Sequence, residues 1–200
     1  MFYRPEEGHT LAHNPFNALV VPRPIGWIST LDEEGRANLA PYSFFNAVAY
    51  EPPQVMFAAT TDHAYGGLKD SVQNARQTGE FVVNLATWAL RRQMNASAVP
   101  APRDVDEFDY AELAKAPAQL VKPHRVAQSP AQLECLYTRS VELEGESNTV
   151  VFGQVVGVHI DDRFIVDGLV DTLAMEPIGR LGYLDYVKVA ESFSLERPQW

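Results

Sequence analysis

The chain has 200 residues, 46% of them hydrophobic and 21% charged. That balance supports one buried core and excludes an intrinsically disordered chain. A formal net charge of −10 disfavours nucleic acid, whose phosphates select a basic footprint, while leaving room for one local anion site. The single cysteine, Cys135, excludes an intrachain disulfide and a cysteine-rich zinc site. No run reaches the roughly 18 apolar residues of a membrane helix. Residues Met1 to Glu7 lack the basic start and apolar core of a signal peptide. The expectation is a cytoplasmic protein without a membrane partner.

Residues 1 to 16 read as an N-terminal arm. His9 and His13 have helical i,i+4 spacing, but Pro15 and the lack of a nearby carboxylate favour a solvated pair over a metal site. Asn17 to Val21 reads as a first strand, stopped by Pro22 and Pro24. Ile25–Leu31 and Ala37–Ala40 read as a hairpin about the acidic turn Asp32-Glu33-Glu34-Gly35, with Pro41 ending regular pairing. Gln54 to Thr60 is a further strand. Lys69 to Gly79 then reads as a helix, with Asp70 and Gln73 as a capping box and Gly79 as its stop.

Glu80 to Leu85 is again a strand, and Thr87 caps a second helix running to about Ala96. Residues 97 to 130, rich in proline and acid, form a long excursion with a short helix near Tyr110 to Lys115. Apolar residues recur in it (Phe108, Leu113, Leu120, Val121), so it reads as an insertion covering part of one domain spanning 1–200, not as a linker. Gln132–Leu143 and Thr149–Ile160 are two long strands, the second apolar or small on both faces and therefore expected to be buried on both. Six or more strands, mostly hairpin-linked, with two or three inserted helices, predict a small antiparallel barrel. A doubly wound fold is the structural alternative, but its glycine-rich phosphate turn is missing.

No nucleophile motif, acid–base dyad or tight metal-ligand pattern is present. Cys135 alternates with Leu133 and Tyr137 and reads as a buried apolar residue. A chain without its own reactive groups borrows chemistry from a cofactor. Lys69 and Ser71 open a helix, where backbone N–H groups and the dipole favour an anion; an exposed lysine on an ordinary first turn is the plainer reading. Ser29 and Thr30 end a strand and face opposite sides, so at most one points to a given ligand. Arg23 reads equally as a site cation or as a surface ion pair.

Several stretches together resemble the flavin reductase-like family of FMN-binding split barrels, which includes flavoredoxin. They are Pro22 to Thr30, Asn38 to Asn46, Glu51-Pro52-Pro53, Lys69-Asp70-Ser71, Gly79 to Asn84, Met94 to Ser97 and Arg180-Leu181-Gly182. The likeness spans about residues 15 to 187. It departs at Tyr183, where many relatives have a second glycine.

The resemblance implies a mainly β fold with inserted helices, a six-stranded antiparallel Greek-key split barrel. It implies a homodimer with FMN near the dimer interface and hydride transfer from NAD(P)H to flavin. The flavin then serves a partner monooxygenase or another electron-acceptor protein. By position, Trp27, Ile28, Ser29 and Thr30, with Lys69, Asp70 and Ser71, would surround the phosphate. Ala40, Pro41, Tyr42, Ser43, Phe44, Phe45 and Asn46 would line the ring, largely through backbone. Arg23 and Arg180 would add charge near phosphate or nicotinamide. No side chain is assigned a catalytic role and no metal is expected. Two alternatives stay open: a flavoredoxin-type electron carrier without nicotinamide activity, and a barrel holding another ligand such as haem or a pyridoxal-type phosphate.

Overall fold

A computed structural model describes residues 1–200. After a 3-10 turn at Pro5–Glu7 come a short helix, α1 (Phe16–Leu19), and a two-residue strand, β1 (Arg23–Pro24). Four strands follow: β2 (Gly26–Leu31), β3 (Ala37–Tyr42), β4 (Phe45–Tyr50) and β5 (Pro53–Ala59). Next come α2 (Asp70–Thr78), β6 (Glu80–Leu85), α3 (Arg91–Ala96) and α4 (Glu107–Tyr110), then the short pair β7 (Lys115–Ala116) and β8 (Arg125–Val126). The long strands β9 (Ala131–Glu142) and β10 (Thr149–Ile160) precede a small pair, β11 (Ile165–Val166) and β12 (Leu169–Val170). The last elements are β13 (Ile178–Arg180) and β14 (Tyr186–Lys188).

One antiparallel ladder runs in the order β3-β2-β6-β9-β10-β5-β4. Its first hairpin is set locally. Asp32 accepts the backbone N–H groups of Glu34 at 3.0 Å and Arg36 at 2.8 Å. Gly35 takes a left-handed φ of 82°, which costs a glycine little. β3 then pairs with β2 through Pro41, opposite Trp27, and Tyr42, opposite Gly26. The expectation that Pro41 ends pairing is therefore corrected: β3 is an edge strand, where a missing N–H is tolerated.

At Ser43-Phe44 the strand breaks and resumes as β4 at the far end of the ladder, so the two edge strands are consecutive in the chain. The Phe44 carbonyl accepts the Ala58 N–H at 2.8 Å, and the Tyr42 and Phe57 rings lie 5.0 Å apart. The ladder thus curls on itself into the antiparallel split barrel, with the broken strand counted twice. Gly26 makes this closure possible, because a Cβ there would stand 2.5 Å from the Phe45 ring.

Two core clusters result. Ile28, Phe57, Phe81, Cys135 and Val151 fill the barrel, with Val72 of α2 packed among them. Trp27, Leu39 and Met94 pack on the other side against Phe108, Leu113 and Val126 of the excursion. The excursion is also pinned by a fully buried carboxylate on β9. Glu134 accepts the N–H groups of Gln119 at 2.8 Å, Leu120 at 2.6 Å and Val121 at 3.2 Å, and is paired with His159 Nε2. Burial pushes its carboxyl up, but the His159 bond and the backbone donors outweigh burial and hold it below the usual range.

Four other expectations are corrected. Residues Asn17 to Val21 form no strand: the Arg23 guanidinium draws the Asn17 and Val20 carbonyls to 2.6 and 2.7 Å, which folds the segment into α1 and a turn. The second helix starts at Arg91 rather than at Thr87, which bridges to Pro177 instead. The excursion's helix lies at Glu107–Tyr110, started by Asp106 accepting the Phe108 N–H at 2.9 Å. β10 is buried on one face only (Thr149, Val151, Gly153, Val155), and Val158 is 60% exposed. The predicted stop at Gly79 stands, with φ 78° and its N–H on the Ala75 carbonyl.

Candidate functional site

A cavity of about 150 Å³ lies where the end of β3, the start of α2 and residues 97–101 meet. Ala40, Pro41 and Tyr42 form one wall, Lys69, Asp70 and Ser71 a second, and Asn38 with Glu107 a third. Lys69 is the N-cap of α2, and its carbonyl accepts the Val72 and Gln73 N–H groups at 3.0 Å each. The first N–H groups of such a helix have no intrahelical acceptor. No carboxylate lies within ion-pair distance of the Lys69 ammonium.

Asp70 would oppose an anion here, but its charge is already met. Arg103, from the excursion, pairs with it, and His63 Nε2 lies at 3.3 Å. Arg103 also donates to the carbonyls of Gly66 at 2.8 Å and Leu68 at 3.1 Å, fixing the loop that leads into α2. The capping box expected of Asp70 and Gln73 is therefore corrected: the Asp70 side chain caps nothing, because Arg103 and His63 hold it. Burial lowers the pKa of His63, and the charges of Arg103 and Lys69 lower it further, so the ring is neutral at pH 7.

Behind the cavity runs a closed polar network. Ser71 Oγ donates to Asn38 Oδ1 at 2.8 Å, and Asn38 Nδ2 donates to Glu107 Oε2 at 3.1 Å. The Leu39 N–H reaches the same oxygen at 3.0 Å. Burial raises the Glu107 carboxyl above the ordinary range, and these donors only partly offset it. The Tyr42 hydroxyl is pushed up to about 12, first by burial and then by the Glu107 charge, against a hydrogen bond with Ser71. The cavity therefore offers one free ammonium and first-turn backbone donors, while Asp70 is paired and the Glu107 carboxyl is raised by burial. That set suits a phosphate.

Of the residues singled out in the sequence, Ala40, Pro41, Tyr42, Lys69, Asp70 and Ser71 converge on this cavity. Trp27, Ile28, Ser29 and Thr30 do not line it: they are 0–1% exposed and internally satisfied. Trp27 Nε1 donates to Ser97 Oγ at 2.9 Å, Ser29 Oγ to the His124 carbonyl at 2.6 Å, and Thr30 Oγ1 accepts from Asn74 at 3.0 Å. Their side chains brace the cavity wall instead.

Arg23 is likewise engaged within the chain. Its guanidinium is 7% exposed and bonds the carbonyls of Asn17, Val20 and Leu181 and the Ser43 hydroxyl. Arg180, opposite Arg23 in the β1–β13 ladder, stacks 4.5 Å from the Tyr186 ring. Arg23 and Phe45 border a separate, mostly apolar cleft of about 450 Å³. Ser43 and Phe44 sit at the strand break, half-buried, and Asn46 is exposed, its Oδ1 accepting the Ala47 N–H at 2.9 Å. The residues missed in sequence are Asn38, His63, Arg103 and Glu107. No local spacing marks them: of the two from the excursion, Glu107 reaches the cavity and Arg103 reaches its Asp70 wall only through the fold.

Known proteins place this architecture. A Deinococcus radiodurans protein is 39% identical over 194 residues, covering 92% of this chain and 84% of its own. The crystal structure of nitrilotriacetate monooxygenase component B from Bacillus cereus is 28% identical with a TM-score of 0.84, over 94% of this chain and 100% of that one. Flavoredoxin of Desulfovibrio vulgaris (Miyazaki F) shares the fold, with 18% identity and a TM-score of 0.79 over 94% and 96% of the two chains. The model of the flavin reductase like domain matches residues 18–171. The chain belongs to the flavin reductase-like family.

Proposed function

We propose that this chain is an oxidoreductase that holds FMN and passes reducing equivalents from NAD(P)H to it, for a partner monooxygenase or another acceptor. The observation that carries the reading is the convergence of Lys69, Ser71 and the first turn of α2 on one cavity facing Ala40 to Tyr42. Lys69 and the α2 N–H groups hold the phosphate, and Ser71, bonded to Asn38, fixes the wall beside it. Arg103 keeps Asp70 from repelling it. The chain then continues from Tyr42 through the strand break at Ser43-Phe44 to Phe45 and Asn46, whose backbone lines the ring. FMN supplies the hydride chemistry when bound, and the protein contributes orientation and exclusion of water. The likeness to a protein described as a monooxygenase component supports a partner oxygenase.

A homodimer completes the reading. Five of the six β4 residues are exposed on an edge strand, with Tyr50 at 94% and Val48 at 47%, a surface natural sheets cover.

The test is an absorbance spectrum of the purified protein titrated with FMN, followed by anaerobic addition of NADH and then NADPH. Saturable flavin binding and bleaching by one nicotinamide are expected. Flavin that binds yet stays oxidised with both would select an electron carrier reduced by another protein. Failure to bind flavin would overturn the reading.

A further inference from the structure

On the far face of α3 lies a second cleft, of about 330 Å³, that the flavin reading leaves unused. Its position follows from the end of β6. Thr87 bridges to Pro177 and the Trp88 N–H donates to the Glu176 carbonyl at 2.9 Å. Those bonds fix Trp88 beside the β13–β14 hairpin, which brings Tyr186 and Lys188 to the same cleft. Met94 and Ile178, 2% and 6% exposed, form an apolar floor.

The lining is cationic and aromatic. Arg91 donates to the Trp88 carbonyl at 2.6 Å while its guanidinium stacks 3.8 Å from the indole centre. Lys188 Nζ lies 5.6 Å from the same ring and is paired with Glu176. Arg92 is exposed and has no carboxylate within ion-pair distance. Three cations line the cleft; Lys188 is already paired with Glu176 and Arg91 is stacked on Trp88, which leaves Arg92 free, in a chain with 26 acidic and 16 basic residues. A random share of this surface would be net acidic. Flat rings and guanidinium planes accept a planar π-system, and the free Arg92 fork suits a phosphate. The volume falls within the roughly 300–1,000 Å³ that holds a small organic ligand.

From this arrangement we propose that the cleft binds an adenylate group, with the purine beside Trp88 and Tyr186 and the phosphate on Arg92. A mononucleotide and one half of a dinucleotide both present this group, and the titration below separates them. The proposal does not rest on FMN occupying the cavity beside Lys69.

The test is calorimetric titration of the full-length protein with 5′-AMP, NAD⁺, inorganic phosphate and benzoate, repeated with Arg92→Ala, Trp88→Leu and Lys69→Ala. Saturable AMP binding that weakens about tenfold in Arg92→Ala and in Trp88→Leu, and is unchanged in Lys69→Ala, is expected. NAD⁺ binding more tightly than AMP would identify a dinucleotide source, and equal binding a mononucleotide; both support the site. Absence of saturable AMP binding, phosphate or benzoate binding to Lys69→Ala as tightly as AMP does, or AMP binding lost only in Lys69→Ala would each overturn it. Arg92 is exposed, so its variant keeps the fold. FMN titration of that variant should match the parent, which separates failure of this site from failure of the flavin reading.

Discussion

Lys69 and Glu107 face one cavity with opposite charge histories. The Lys69 ammonium has no carboxylate near it, so a bound phosphate would be its counter-ion. Lys69→Ala should weaken FMN by about 1.5–3 kcal/mol, the range of a charge-assisted hydrogen bond, measured by flavin fluorescence titration; unchanged affinity would place the phosphate elsewhere. Glu107 is the reverse case, a carboxyl raised by burial. A carboxyl whose folded pKa is raised stabilises the fold below its unfolded pKa, and that contribution is lost as pH rises through the folded value. Stability of the parent should therefore fall relative to Glu107→Gln between the ordinary glutamate range and the raised folded value. Urea midpoints across that window would show the gap, and parallel curves would refute it.

Elements built from local chemistry were legible in the sequence. The β2–β3 hairpin follows from its Asp-Gly turn, α2 from its Gly79 stop, and β9–β10 from their apolar length. What was hidden depends on contacts distant in sequence. α1 exists because Arg23 gathers carbonyls across the turn, and Asp70 leaves its capping role because Arg103, 33 positions on, reaches it first. Half of the candidate site, Lys69 to Ser71 and Ala40 to Tyr42, could be read directly; Glu107 and Arg103 could not, since the excursion's path is set by burial and by Glu134. Removing that anchor should be costly. Glu134→Ala leaves the N–H groups of residues 119–121 without their acceptor and His159 without its partner. A loss of about 3–5 kcal/mol is expected from chemical denaturation, and a loss under about 1 kcal/mol would mean the excursion is held by its apolar residues alone.

At the scale of the whole molecule, the β4 edge with Val48 and Tyr50 is a surface that a lone chain leaves uncovered. If two copies meet there, Val48→Asp should shift the protein from dimer to monomer in sedimentation, because an unpaired carboxylate would be buried in the interface. A dimer that withstands this change would put the interface on another face. Charge works against such a contact at longer range: a net charge of −10 makes copies repel, so a dimer would need a specific apolar surface.

Glu134 also governs how the molecule comes apart. Residues 97–130 have the proline-rich, acidic look of a segment that proteases nick. Yet Phe108, Leu113 and Val126 share a core with Trp27 and Leu39, and the segment cannot peel away without abandoning a buried charge. Its opening and the opening of the barrel then draw on a single free energy. Trypsin added to the native protein should cut after Lys115 and Arg125 no faster than the barrel unfolds, so the least regular stretch of the chain would be among the last to be digested.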